Sequence, residues 1–118
     1  KIQFRNNVNI SGKEKSQIIE IKHNLRTEKI PAANIKWIEA MGDYVKIITP
    51  EKKYLSLSSM KAFLSKLPEN QFLRIHKSFI IKINKVINYS SSKVNVEGVE
   101  LPVSMFRKKD FRQTISQI

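Results

Sequence analysis

The chain holds no cysteine, and only three glycines and two histidines occur among its 118 residues. Without thiols there is no disulfide framework and no thiolate metal site, which fits a reducing, cytoplasmic compartment. The glycines stand alone at Gly12, Gly42 and Gly98, so no glycine-rich phosphate loop of the G-x-x-x-x-G-K kind is present. No apolar run approaches a membrane span or a signal sequence, and a soluble chain is expected. Acidic residues are scarce as well: ten Asp+Glu face 22 Lys+Arg, a formal net charge of +12. That excess is larger than solubility needs and points to a polyanionic partner, nucleic acid first and acidic lipid second. Seventeen of the basic residues are lysine, so lysine-favouring codon usage is the competing source. Residues 30–70 are nearly balanced, with six basic against four acidic side chains, whereas residues 71–118 carry nine against three.

A chain of this length is one domain and can bury roughly two-thirds of its surface. It begins at Lys1 rather than Met, so a piece of a longer protein is expected. Residues 1–15 are polar, without sustained period, and read as a linker or tether. Strand patterns follow in "QIIEIK", "NIKWIEA", "DYVKIIT" and "KYLSL", four candidates before any helix, with Gly42-Asp43 as a tight hairpin turn. Met60, Phe63, Leu64 and Leu67 then recur at helical spacing, with Ser58 or Ser59 as the N-cap and Pro68 as the stop. "KVINY" and "KVNVEGVELPV" read as strands, the latter a hairpin about Glu97-Gly98. Ser104 is expected to cap a last helix with Phe111, Ile115 and Ile118 on one side. Its first turns hold Arg107, Lys108 and Lys109, where the helix dipole disfavours cations and an anion would be welcome.

The inventory favours a binding module over an enzyme. His23 lies in a turn beside Asn24, and no set of carboxylates or histidines has ligand spacing, so neither a metal nor another cofactor is expected. Ser78 lies two residues from His76, but no acidic neighbour is there to orient the imidazole as a triad needs. In "FLRIHKSFIIK", residues 72–82, strand periodicity sets Phe72, Arg74, His76 and Ser78 on one face and Leu73, Ile75 and Lys77 on the other. Neither face is cleanly apolar, which suits an edge strand running into an exposed loop. There His76 is read as a hydrogen-bonded residue pinning the loop, and Lys77 as a contact residue.

The blocks "IKWIEAMGDYVKIIT", "SLSSMKAFLSKLP", "FLRIHKSFII" and "VEGVELPVS", in this order and spacing, resemble the LytTR (LytR/AlgR-type) DNA-binding domain of bacterial transcriptional regulators. The F-x-R-x-H-[RK]-S-[YF] block is the most specific and L-P-[VI]-S the next. The resemblance spans about residues 16–116 and assigns residues 16–118 to the domain. It implies a mainly β fold of roughly ten short antiparallel strands in small stacked sheets with one or two short helices. It also implies loops, rather than a recognition helix, that reach into successive major grooves and bend the site. Carried over by position, the DNA-binding residues would be Asp43, Tyr44 and Lys46; His76, Lys77, Ser78 and Lys82; and Arg107, Lys108 and Lys109.

Two departures stand out. Ile81-Lys82 replaces the family's usual Val-Asn, and the positions after Ser104, commonly basic, are Met105 and Phe106. Arg107 is then the expected base-reading group, because a guanidinium can pair with guanine O6 and N7. The expected partners are double-stranded DNA, a second copy on paired sites, and an N-terminal receiver or sensor domain outside this chain. An RNA-binding basic β-domain and a protein-interaction or dimerisation module are the alternatives. The former would want exposed aromatic platforms, and Tyr44, Tyr54 and Phe79 are scattered.

Overall fold

The computed structural model describes residues 17–116. The tether expected over 1–15 and the helix residue Ile118 lie outside the described residues. Among the described residues, ten strands form three antiparallel sheets. A hairpin joins β1 (Ile18–His23) to β2 (Arg26–Pro31). A five-stranded sheet has the order β5-β4-β3-β7-β6. Its members are β3 (Trp37–Met41), β4 (Tyr44–Ile48), β5 (Lys53–Leu57), β6 (Phe72–His76) and β7 (Phe79–Lys82). A three-stranded sheet contains β8 (Val86–Tyr89), β9 (Lys93–Val96) and β10 (Val99–Pro102). Helix α1 (Met60–Lys66) precedes β6, and α2 (Lys108–Ile115) ends the described chain.

The five-stranded sheet is the middle layer of three, and the sequence shows why. Its strands carry adjacent buried apolar residues, Trp37-Ile38, Ile47-Ile48 and Ile80-Ile81, so both faces are covered. Ile38, Val45, Ile47, Phe72 and Ile80 join Ile19, Ile21 and Ile30 of the β1–β2 hairpin and Met60, Phe63 and Leu67 around α1 in one core. Trp37, Ile48, Ile75 and Ile81 join Val94, Val96 and Leu101 of the small sheet and Phe111 and Ile115 of α2 in the other.

Local chemistry sets the ends. Ser59, not Ser58, caps α1: its Oγ accepts the Ala62 N–H at 3.0 Å. Gly42, at φ 60, turns the chain between the paired Met41 and Tyr44. Glu97 and Gly98, at φ 49 and 100, close the β9–β10 hairpin, and Asn95 Oδ1 accepts the Gly98 N–H at 2.7 Å.

Two expectations need correction. Five strands, not four, precede the first helix, because β2 was not visible: within R-T-E-K-I-P only Ile30 is buried, and the Asn24-Leu25 turn contains no glycine. Ser104 does not cap the last helix. It leads into a 3-10 turn at Met105–Arg107, and α2 begins only at Lys108 without a side-chain cap.

Candidate nucleic-acid interface

Strand pairing brings the expected contact segments to one end of the middle sheet. β3 pairs with β7 through Ile38↔Ile80 and Glu39↔Phe79, and the Ala40 N–H donates to Ser78 O at 2.9 Å. The Gly42-Asp43 and Lys77-Ser78 turns therefore lie side by side. The third segment joins because the Ser104 N–H donates to Ile75 O at 2.8 Å, which seats the Met105–Arg107 turn against edge strand β6. The Arg107 N–H closes that turn onto Ser104 O at 3.0 Å. Its other side is anchored by buried Phe111 and Ile115 of α2.

The Lys77-Ser78 turn is held from within. A bulge between Arg74 and His76 shifts the register of β6, and the chain reverses from His76 to its partner Phe79. The Ser78 N–H donates to His76 Nδ1 at 3.1 Å, and the imidazole leans on the Phe79 ring with centroids 5.7 Å apart. Nδ1 is thus the acceptor and the ring proton sits on Nε2. Arg74 Nη2 donates to Lys77 O at 2.7 Å. With its backbone pinned on both sides, Lys77 presents an exposed side chain from a fixed position.

Arg74 was absent from the expected contacts, although its place three residues before Lys77 in an edge strand is a usable signal. Its Nε is shielded from solvent and has no hydrogen-bond partner, an arrangement that costs about 1–3 kcal/mol when unrelieved. Burial and then the like charge of Arg107 push the guanidinium below its ordinary value. Both arginines are half-buried.

The remaining expected residues divide. Asp43 and Tyr44 are exposed at the first turn, Tyr44 at 46% rather than the half-buried tyrosine of an ordinary hairpin. Lys46 stands two residues in from the turn, half-buried, between Glu39 and Leu55 of the neighbouring strands. Lys108 and Lys109 occupy the first turn of α2 beside Asp110. Lys82 is placed elsewhere: it is only 4% exposed and pairs with Phe72 at the far end of the β6–β7 hairpin from the turn. Its Nζ reaches Gln71 Oε1 at 3.3 Å and lies 5.4 Å from the Phe72 ring centroid.

The ion pairs of the described residues, Lys36 and Lys85 with Glu97 and Lys93 with Glu100, lie away from this end. Lys77, Arg107, Lys108 and Lys109 have no carboxylate partner among the described residues. His23 accepts the Leu55 N–H at 3.1 Å and packs edge-on to Tyr54, 5.4 Å away. No group of three or more metal-ligating side chains occurs among the described residues, and no helix there is long and apolar enough to cross a membrane.

Residues 25–116 match the family model described as the LytTr DNA-binding domain. The chain is 30% identical over 90 residues to the transcriptional regulatory protein YpdB of Escherichia coli strain K12, covering 70% of this chain and 37% of that protein. To the sensory transduction protein LytT of Bacillus cereus it is 26% identical over 127 residues, covering 87% of this chain and 52% of that one. It thus spans roughly a third to a half of these relatives. A solved LytTr DNA-binding domain, of a putative methyl-accepting/DNA response regulator from Bacillus cereus, superposes with a TM-score of 0.73 at 22% identity, over 85% of this chain and 97% of that one. The three-layer fold is therefore shared, and the chain belongs to the LytTR family of DNA-binding domains.

Proposed function

We propose that this chain is the sequence-specific, non-enzymatic output domain of a bacterial response regulator, lying C-terminal to a receiver or sensor domain and working in the cytoplasm. Loops at one end of the middle sheet enter major grooves, and two copies occupy paired sites. The reading is supported above all by the convergence of three segments, Gly42–Tyr44, His76–Ser78 and Ser104–Lys109, whose cations Lys77, Arg107, Lys108 and Lys109 have no carboxylate partner among the described residues. Free cations on a pinned backbone suit a phosphate-lined groove: phosphate contacts set register, and the few groups that reach base edges discriminate sequence. Asp43, Tyr44 and Lys77 are exposed enough to reach, Arg107 is half-buried beside them, and Lys46 stands behind. Lys82 is left out of this surface because its ammonium is buried at the other end.

The test is selection from a random duplex library at near-physiological salt, with the wild-type domain and the Lys77→Ala, Arg107→Ala variant side by side. A paired motif that the variant loses is the expected result. No enrichment, with weak binding that salt abolishes, would overturn the reading and turn the search to RNA or protein partners.

A further inference from the structure

The most exposed large apolar side chains of the proposed interface are Met105 and Phe106, 78% and 98% exposed. They sit on the 3-10 turn that the Ser104–Ile75 and Arg107–Ser104 bonds fix beside the His76–Ser78 turn. Cations follow them directly, Arg107, Lys108 and Lys109, so whatever covers them must also satisfy uncompensated positive charge. An apolar protein surface would have to desolvate those cations without return. A DNA groove supplies the anions, and the major groove offers a single apolar feature on a base edge, the C5-methyl of thymine.

We infer that Met105 and Phe106 read thymine methyl groups in the major groove, so that this segment selects T·A pairs by apolar contact while the cations behind it hold the backbone. This rests on the DNA-reading function proposed above and adds the chemistry recognised at one of its loops. It also shifts the expected task of Arg107. Half-buried and near enough to Arg74 for their like charges to be felt, that guanidinium is the less exposed group of the segment and is assigned to phosphate, leaving base discrimination at this loop to the two side chains ahead of it. Because Met105 and Phe106 touch so little of the domain, replacing them leaves the fold intact, and any change reports on the partner.

The experiment is a deoxyuridine scan of the selected duplex, which removes one methyl per position and leaves the hydrogen-bonding edge unchanged. Affinities are measured for wild type, Phe106→Leu, Phe106→Ala and the Met105→Ala, Phe106→Ala variant. The expected result is a loss of about fourfold per contacted methyl at one or two positions for wild type. Phe106→Leu should keep most of that sensitivity, and the double variant should show none at those positions. Equal wild-type affinity for the thymine and uracil duplexes overturns the methyl reading and leaves DNA recognition standing. A double variant that loses affinity equally for both duplexes also overturns it. A domain that selects no duplex at all removes the underlying DNA reading and the methyl reading with it.

Discussion

His76 separates two mechanisms that a simple alanine replacement would confuse. In the structure its Nδ1 accepts the Ser78 N–H at 3.1 Å, a bond that leaves Nε2–H unused. The side chain either pins the loop through Nδ1 or touches DNA through Nε2. The two nitrogens can be replaced one at a time, because Asn Oδ1 lies at the same bond distance from Cβ as Nδ1, and the Gln side-chain amide at that of Nε2. A partly buried N–H left without its acceptor costs about 1–3 kcal/mol, or roughly 5- to 150-fold in an equilibrium. Two other bonds still hold the turn, Arg74 Nη2 to Lys77 O at 2.7 Å and the Ala40 N–H to Ser78 O at 2.9 Å. The loss should therefore loosen the loop rather than melt it, and fall in the lower part of that range. Affinity falls in proportion to the fraction of molecules whose loop remains competent.

We expect His76→Asn to bind the selected duplex within about threefold of wild type, and His76→Gln and His76→Ala to bind about 5- to 30-fold more weakly. Anisotropy titrations supply the affinities. Hydrogen exchange at the Ser78 amide, faster in the Gln and Ala variants and near wild type in the Asn variant, ties the loss to the pin. The opposite ranking, with Gln tolerated and Asn not, would refute the pin and make Nε2 a direct contact. Wild-type binding by all three variants would refute both.

Three further outcomes follow from the same geometry. Arg74→Lys keeps a charge but cannot repeat the planar fork that reaches Lys77 O, so it should fold normally and weaken DNA binding by about fivefold; unchanged affinity would show that the Lys77 carbonyl needs no anchor. Lys82→Ala should lower the melting temperature by on the order of 10 °C through lost packing of a buried stem against Phe72, with the salt dependence of DNA binding unaltered. A flatter salt slope in that variant would return Lys82 to the interface. For the wild type, contact with about 6 phosphates gives a slope of log K against log salt near −5, and a far shallower slope would remove the case for a groove-reading footprint.

Much of the fold was legible where residue chemistry and local period agree. Met60 and Phe63 on one face of α1, Ser59 at its cap, and Gly42 and Gly98 in their hairpins are local facts, and local facts are written in short windows of sequence. What misled was tertiary. β2 forms because β1 and the core beneath Ile30 supply its partners, not because R-T-E-K-I-P has a strand pattern. Ser104 does not cap α2 because a 3-10 turn, Met105–Arg107, intervenes: the Arg107 N–H closes onto Ser104 O, while the Ser104 N–H ties the turn to Ile75, about thirty residues earlier. The mixed pattern of "FLRIHKSFIIK" has the same origin. Phe72 feeds one core and Ile75 the other, with a bulge between Arg74 and His76, so β6 is an edge strand sandwiched on both faces.

The proposed interface was legible as a set of segments but not as an arrangement. Lys77 could be placed on an exposed turn from its neighbours alone, whereas the nearness of Arg107 to Arg74 comes with the Ser104–Ile75 bond and has no trace in local pattern. Charge alone was a poor guide in both directions. Lys82 looked like a contact because it is a lysine near the motif, yet three buried neighbours in sequence, Ile80, Ile81 and Ile83, and buried Phe72 across the hairpin draw its stem inward. Met105 and Phe106 looked like a gap in the basic segment, yet their turn thrusts them into solvent beside the free cations. Position on the fold, more than residue class, decides which groups can meet a groove. On the proposed reading, a segment that exchanges charge for apolar surface at such a position changes what is read there while the cations around it keep the domain on the backbone.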